Sequence, residues 1–140
     1  MNILFFLKPK ATVTVLTTDC TLRQALEIMD KSGYTAVPLI DEDGKYIGTV
    51  SEGDFLWFFK TISIFNLKDA EKVSIKAINR RRDNLPIRID EDMSNLINMS
   101  KTENFIPVID DRDVFIGIVT RQDIIEYFLK NNRVIKNDEK

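Results

Sequence analysis

The chain has 140 residues with 44% apolar content, which suffices for one compact unit or two small packed halves and argues against intrinsic disorder. Its net charge of −2 gives no general attraction to nucleic acid or to an anionic membrane, so neither is an expected partner. Because the chain contains no histidine and a single cysteine, Cys20, it offers no internal disulfide, histidine-based metal site or Cys–His nucleophile pair.

The first predicted elements, after a short apolar stretch at 3–7, are a strand at 13–16 and a helix. The apolar stretch is too short for a signal peptide, and no segment approaches the roughly 20 apolar residues of a membrane span, so a cytoplasmic protein is expected. Thr21 and Gln24 have the spacing of a capping box, and Gly33 is suited to end the helix. The apolar residues of this helix recur at helical spacing: Leu22, Ala25, Leu26 and Met29.

Two strands and a second helix complete the first half of the chain. Residues 36–40 and 46–50 predict a hairpin, in which Asp43-Gly44 suits a two-residue type I′ turn because glycine accepts a positive φ. The following helix opens with Ser51 and contains the unbroken apolar run 55–59, which is too wide for one stripe of a surface helix. Either the run is buried within one chain or part of it is a homodimer surface, and the homodimer is favoured.

The second half, residues 73–130, repeats this plan after a linker at 61–72, and residues 131–140 follow as a polar tail that is expected to fray. The turn of its hairpin, Arg112-Asp113, lacks glycine and is expected to be looser than the first. The elements predicted for this half are a strand at 87–89, a helix capped by Asp92, and a hairpin of strands 106–109 and 115–119.

A dense basic cluster, Arg80-Arg81-Arg82, precedes the first strand of the second half. Three consecutive arginines can be a solvated face, or they can recognise phosphate, because guanidinium groups match phosphate oxygens in geometry. Both interpretations remain open. No aromatic residues alternate with the arginines, so the cluster is weak support for a nucleic-acid interface.

The two halves form a tandem repeat. Residues 34–59 align without a gap with residues 103–128, and eight aligned pairs are identical over an offset of 69 positions. The repeat includes the motif Gly-x-x-[Ser/Thr]-x-x-Asp, which occurs once in each half. We call it the signature of that half.

The polar residues of the signature are Ser51 with Asp54 in the first copy and Thr120 with Asp123 in the second. In one interpretation each pair is a capping box at the start of a helix. In the other, the helix N-terminus offers N–H donors and a positive dipole end to an anionic group, while the aspartate accepts hydrogen bonds from ribose hydroxyls. The recurrence of the motif after a strand favours ligand binding.

At these residues the sequence resembles the CBS domain family, and the two copies resemble a tandem pair of such domains, known as a Bateman module. The resemblance covers roughly residues 8–60 and 73–130. It implies an α+β fold of two repeats packed with pseudo-twofold symmetry. Each repeat would have a small three-stranded sheet with two helices on one face.

The resemblance also implies adenosine-ligand sites in two clefts between the halves. In the family, the signature hydroxyl lies near the phosphate or ribose, the aspartate holds the ribose hydroxyls, and main-chain groups ahead of each proline read the adenine. Arg121 stands where the first copy has Glu52, so a phosphate should be better tolerated in the second cleft. The residues assigned in this way are Ser51 and Asp54 in one cleft, Thr120 and Asp123 in the other, and Ala36, Val37, Phe105 and Ile106 around the adenine.

The function implied by the resemblance is a regulatory nucleotide-binding module with no catalysis of its own. Because no target is found in this chain, the module is expected to act in trans on a partner protein. Its expected ligand is AMP, ADP or ATP, with S-adenosylmethionine and cyclic di-AMP as alternatives, and it requires no metal or cofactor. The competing hypothesis is a constitutive dimerisation or scaffold module whose signatures only cap helices. An enzyme acting on nucleotides is not expected, because the sequence lacks a phosphate-binding loop and a carboxylate cluster for a metal.

Overall fold

The structure, a computed structural model, describes residues 2–62 and 66–138, apart from the side chains of Leu67 and of residues 132–138. Its strands are β1 (Lys8–Pro9), β2 (Leu16–Thr17), β3 (Ala36–Ile40), β4 (Tyr46–Ser51), β5 (Ile87–Arg88), β6 (Phe105–Ile109) and β7 (Phe115–Thr120). Its α-helices are α1 (Leu22–Ser32), α2 (Glu52–Ile62), α3 (Leu67–Ala70), α4 (Met93–Ser100) and α5 (Arg121–Asp138). Short 3₁₀ helices lie at Ile3–Phe6, Lys10–Thr12 and Ile75–Ala77.

Each half of the chain builds one sheet, which confirms the predicted α+β fold of two repeats. In the first repeat β2 runs parallel to β3, and β3 pairs antiparallel with β4. The second repeat has the same arrangement of β5, β6 and β7. The prediction of three strands in each sheet is wrong for the second repeat, because β1 pairs antiparallel with the free edge of β7 and adds a fourth strand.

The N-terminal segment therefore packs against the second repeat, although it precedes the first in sequence. Ile3 and Phe6 are buried in the hydrophobic core of the second repeat. β1 lies so close to β7 that a Cβ built on Gly117 would be 2.1 Å from the carbonyl oxygen of Lys8. Only glycine permits this approach of two backbones.

The two repeats have separate hydrophobic cores of similar construction. Apolar residues of each sheet pack against the helices of the same repeat, and the first core also contains Ala70, Ile75 and Ile78, so the predicted start of the second half at 73 packs on the first repeat. The best-buried residues of the first core include Leu16, Leu22, Ala25, Val37, Leu39 and Val50, and those of the second include Ile87, Leu96, Ile106, Val108 and Val119.

The two hairpins have the same turn, which differs from the predicted one. In the first, the N–H of Gly44 donates to the carbonyl of Asp41, and Gly44 has φ 83°. In the second, the N–H of Asp113 donates to the carbonyl of Asp110, and Asp113 has φ 65°. The predicted type I′ turn at Asp43-Gly44 is wrong, because such a turn needs two consecutive positive φ values, whereas a three-residue turn needs one. The expectation of a looser second turn is also wrong, since aspartate tolerates the left-handed conformation there.

The helix predictions are confirmed in part. Thr21 and Gln24 form a complete capping box at α1, and Gly33 follows that helix with φ 71°. Asp92 occupies the cap position of α4, but its side chain makes no capping hydrogen bond. The first strand lies later than the predicted 13–16, at β2. α5 continues to Asp138, through most of the predicted polar tail.

The helices that follow the signatures, α2 and α5, leave a row of apolar side chains exposed. Within the run 55–59, Phe55 is buried, whereas Leu56 is 64% exposed and Trp57 is 40% exposed. α5 has a matching row at Ile125, Phe128 and Leu129. The run is thus only partly buried within one chain. The linker prediction 61–72 contains α3, and its residues 63–65 lie outside the described part of the chain. In the described residues, no helix combines the length and the apolar character needed to cross a membrane.

Candidate functional site

A cleft of about 900 Å³ lies between the two repeats and receives residues from both. Its walls come from the starts of β3 and β6, the ends of β4 and β7, the first turn of α5, and segments 12–14 and 81–84. Both signature hydroxyls, Ser51 and Thr120, line it. The resemblance implies a cleft for each signature, and in the structure both hydroxyls line the same cavity.

Each signature hydroxyl caps the helix that it precedes. Ser51 ends β4, and its Oγ accepts the N–H of Asp54 at 3.2 Å. Thr120 ends β7, and its Oγ1 accepts the N–H of Asp123 at 3.2 Å. The main-chain N–H of the residue after each hydroxyl donates to a carbonyl ahead of the first hairpin strand, as Arg121 does to Asn104. These bonds fix both helix N-termini against the sheet, and the first turn of α5 lines the cleft.

The aspartate of the first signature is fully engaged within the protein. Oδ2 of Asp54 accepts the N–H of Ser51 at 2.9 Å, which completes a capping box. Its other oxygen, Oδ1, accepts the main-chain N–H of Arg81 at 3.1 Å. Asp54 is only 2% exposed. Ribose hydroxyls could reach this carboxylate only after these contacts were broken.

The aspartate of the second signature is more accessible. The described part of the chain contains no hydrogen bond from the N–H of Thr120 to Asp123, so the capping box is only half formed. Oδ2 of Asp123 instead lies 3.5 Å from Nζ of Lys8, and the side chains of Asp123 and Lys8 are 32% and 50% exposed. Lys8 lines the cleft, whereas Asp123 lies next to it and is not one of its lining residues. An incoming hydroxyl could therefore reach Asp123 by displacing one solvated ion pair.

The main chain at the start of β3 presents free hydrogen-bonding groups beside the cleft. Ala36 pairs with Ser51, and the neighbouring contact between Glu52 N–H and Thr35 O marks the hydrogen-bonded positions of this ladder. Because these positions alternate along antiparallel strands, the N–H and C=O of Ala36 point away from β4. Ala36 and Val37 both line the cleft. They could read the edge of a planar base.

The corresponding position of the second repeat is already occupied. Phe105 lines the cleft and pairs with Thr120 as Ala36 pairs with Ser51. Its carbonyl oxygen accepts Nδ2–H of Asn84 at 2.9 Å. Ile106, the other residue predicted to contact adenine in this repeat, is fully buried in the core and does not line the cleft.

The four predicted arginines have different environments. Arg80 does not line the cleft, because its guanidinium binds Asp83 with Nε 2.9 Å from Oδ1. Arg81 lines the cleft, and its guanidinium carbon lies 4.3 Å from the ring centre of Trp57. Arg82 lines the cleft and forms an ion pair with Glu103. Arg121 also lines it, while its Nε donates to the carbonyl of Ser100, the last residue of α4, at 2.8 Å.

Comparison with known proteins identifies the family. Residues 9–60 and 75–130 match the family model of the CBS domain. The chain belongs to the CBS domain family. It is therefore a CBS pair, with one signature, one sheet and one core in each repeat.

The chain is similar to a relative in sequence and to two solved structures in fold. An uncharacterized protein of Methanocaldococcus jannaschii is 23% identical over 124 residues, which cover 83% of this chain and 44% of that protein. The chain thus spans less than half the length of that relative. A crystal structure of CbpB in complex with c-di-AMP superimposes with a TM-score of 0.87 at 20% identity, over 99% of this chain and 91% of the other. A crystal structure of CBSX2 in complex with AMP superimposes with a TM-score of 0.68 at 23% identity, over 94% and 98%. These likenesses show the shared fold.

Several polar residues outside the signatures also line the cleft, among them Lys8 and Asn84. Lys8 comes from the N-terminal segment, and nothing in its spacing marks it as a site residue. Asn84 follows the arginine cluster and connects the repeats: its carbonyl accepts the hydroxyl of Tyr46 at 2.6 Å, while its side chain binds Phe105. Thr49 lies 2.7 Å from the same hydroxyl, and burial raises the pKa of Tyr46 to about 12. The available signal for Asn84 was its position two residues after the arginine cluster and three residues ahead of β5.

The residues of this CBS pair that the structure describes include no group of three or more cysteine, aspartate or glutamate side chains arranged to hold a metal ion. The groups that line the cleft offer hydrogen bonding by hydroxyls and main chain, together with positive charge from arginine and lysine. Such groups suit an anionic ligand that also carries a flat polar base and vicinal hydroxyls.

Proposed function

We propose that this CBS pair is a regulatory module that binds one adenosine nucleotide per chain in the half of the cleft lined by Thr120 and Ala36, with the carboxylate of Asp123 beside it. The observation that carries the proposal is the different state of the two signature aspartates. Asp123 is accessible beside a helix N-terminus, whereas both oxygens of Asp54 already accept main-chain hydrogen bonds.

The second-signature half supplies a group for each part of a nucleotide. Asp123 can accept from the ribose hydroxyls, and such charge-assisted bonds are stronger than neutral ones. Thr120 and the N-terminus of α5 face the same cleft and favour a phosphate. The free N–H and C=O of Ala36 can read the base. These groups come from both repeats, so a ligand that touches all of them would bridge the repeats.

The class of ligand is supported by two structural neighbours. CbpB has been crystallised with c-di-AMP, and CBSX2 with AMP. A cleft of about 900 Å³ is large enough for a mononucleotide and is at the upper end of common ligand sites. We take AMP, ADP and ATP as the first candidates, with S-adenosylmethionine and cyclic di-AMP as alternatives.

A regulatory role follows from a ligand that bridges two repeats. Such a ligand stabilises the relative arrangement of repeats that it fits best, and it alters the binding of a partner protein only as far as the partner distinguishes the arrangements. The repeats also touch at their hairpin turns, where the N–H of Phe115 donates to the carbonyl of Gly44 at 2.9 Å. The module would act in trans on a partner protein. The exposed apolar rows of α2 and α5 would form a homodimer surface.

A scaffold module without ligand is the second candidate, and the complete capping box at Ser51 and Asp54 favours it for the first signature. The two candidates differ in one measurable property. A scaffold has no affinity for nucleotides, whereas the regulatory module gains stability from them. A ligand at 100 times its Kd adds ~2.7 kcal/mol to the free energy of unfolding.

Isothermal titration calorimetry of the purified chain with adenosine, AMP, ADP, ATP, S-adenosylmethionine and cyclic di-AMP tests the proposal. GMP and GTP are the matched controls, because they carry the same ribose and phosphates on a different base. We expect an adenine compound to bind with about one site per chain and more tightly than its guanine counterpart. Absence of heat and of any melting-temperature shift with all adenine compounds would leave the scaffold as the better account.

A further inference from the structure

We propose that Lys8, from the N-terminal segment, makes this site prefer phosphorylated nucleotides over the bare nucleoside. The inference rests on the proposed function, because it assigns a role to a residue beside the same ligand. Lys8 belongs to neither signature. It enters the cleft only because the N-terminal segment crosses to the second repeat.

The backbone of Lys8 is held firmly in place. β1 pairs with β7 so that Lys8 lies opposite Ile118, and both residues line the cleft. Ile3 and Phe6 anchor the preceding turn in the second core. The close approach at Gly117 leaves little room for β1 to move. The side chain is nevertheless half exposed, so its ammonium group can change partners while its backbone stays fixed.

The present partner of Lys8 is the carboxylate that the ribose would use. Nζ of Lys8 is 3.5 Å from Oδ2 of Asp123. An ion pair this exposed contributes little to stability, so a ligand can displace it at small cost. Ribose hydroxyls that bind Asp123 would release the ammonium group beside the ribose. A phosphate esterified to that ribose would then be its nearest new partner.

The exchange of partners separates nucleotides from nucleosides. A nucleoside that binds Asp123 leaves Lys8 without a counter-charge in the cleft, where Glu126 is the next acidic lining residue on α5. A nucleotide supplies the counter-charge itself. The neighbouring cations are less available: Arg82 is paired with Glu103, and Nε of Arg121 is bound to the carbonyl of Ser100. Lys8 is thus the cation that loses its present partner, Asp123, when the ribose of the ligand binds that carboxylate.

The test compares phosphorylated ligands with adenosine in Lys8→Met, which keeps most of the aliphatic stem and removes the charge. Titration calorimetry would measure the affinity of each variant for adenosine, AMP, ADP, ATP and cyclic di-AMP. We expect Lys8→Met to weaken the phosphorylated ligands roughly fivefold, as for a partly exposed charge pair, and to leave adenosine unchanged or slightly tighter. Lys8→Arg should restore the preference. Lys10→Met is the matched control, because Lys10 follows closely in the same segment but does not line the cleft.

The outcomes separate this inference from the proposed function. Equal loss of adenosine and of its phosphorylated forms in Lys8→Met would overturn the inference, since Lys8 would then only hold the site together. Unchanged affinity for the phosphorylated forms would overturn it as well. Failure of the wild-type chain to bind any member of the panel would instead remove the proposed function, and the inference with it. A thermal melt of each variant without ligand shows whether the fold is intact.

Discussion

The two signatures of this CBS pair have the same spacing but different neighbours. Beside the first, segment 80–84 lies along β4. Oδ1 of Asp83 accepts the N–H of Thr49 at 2.9 Å, and the main-chain N–H of Arg81 donates to Asp54. Beside the second, the N-terminal segment lies along β7 as a true strand, and Lys8 approaches Asp123 only through its side chain. Both carboxylate oxygens of Asp54 accept main-chain hydrogen bonds, whereas the carboxylate of Asp123 is paired with the half-exposed ammonium group of Lys8.

This difference shows that the accessibility of a signature to a ligand depends partly on residues outside the signature. Both segments occupy equivalent positions, as their glycine contacts show. A Cβ on Gly48 would be 2.3 Å from Oδ1 of Asp83, and a Cβ on Gly117 would be 2.1 Å from the carbonyl oxygen of Lys8. The covering segments, rather than the signatures themselves, decide which aspartate remains accessible. Substitutions in one copy can therefore be controlled by the equivalent substitution in the other.

The largest expected effect is on stability, in Asp54→Ala. This change removes the acceptor of two N–H groups, those of Ser51 and Arg81. A fully buried donor left without a partner costs about 1 to 3 kcal/mol, and these two are only partly buried, so we expect the free energy of unfolding to fall by about 2 to 4 kcal/mol rather than by the full sum. Chemical denaturation without ligand measures it. Asp123→Ala is the control, with a smaller loss because water can replace its partner. Equal losses in both variants would contradict the contrast between the signatures.

The next effect is on affinity, in Asp123→Ala. Loss of a charge-assisted hydrogen bond costs ~1.5 to 3 kcal/mol, so nucleotide affinity should fall roughly tenfold to over a hundredfold. Isothermal titration calorimetry with the adenine compounds measures this affinity. Asp54→Ala, studied at a temperature where it remains folded, should bind with nearly wild-type affinity. If Asp54→Ala weakened binding and Asp123→Ala did not, the ligand would occupy the other half of the cleft.

The sequence predicted much of this fold because the repeat and its periodicity are local signals. Both hairpins, the helices after the signatures and the capping box of α1 follow from such signals. The pairing of β1 with β7 could not be predicted, since it joins residues far apart in sequence. The same holds for the contact of Arg81 with Asp54. The roles of the signature aspartates depend on these long-range contacts, so spacing alone made the two copies look alike.

Association is the next point of comparison, because α2 and α5 expose equivalent apolar residues. Leu56 and Ile125 occupy the same position of the two repeats and are 64% and 49% exposed. If both helices contribute to a homodimer, Leu56→Glu and Ile125→Glu should each weaken association at least about tenfold, ~1.4 kcal/mol, through lost apolar burial and the cost of covering a charge. Sedimentation velocity over a concentration series measures this. A wild-type chain that remains a monomer at tens of micromolar would refute the dimer.

The smallest effect concerns Tyr46, which the second repeat replaces with Phe115. Tyr46→Phe makes the first repeat resemble the second by removing the hydroxyl that donates to Asn84 and contacts Thr49. We expect the free energy of unfolding to fall by about 1 kcal/mol near neutral pH, the usual net contribution of one hydrogen bond.

The pH dependence of stability tests the role of Tyr46 more specifically than the stability at neutral pH does. Burial favours the neutral phenol and raises the pKa of Tyr46 from 10.0 to about 12 in the folded protein. Its contribution to stability is therefore complete below pH 10 and is lost as the pH rises through about 12, because the unfolded chain releases the proton first. Tyr46→Phe should lack this part of the alkaline destabilisation. Denaturation curves of both proteins at several alkaline pH values measure it, and parallel losses of stability from pH 10 to 12 would show that Tyr46 is not held in its neutral form.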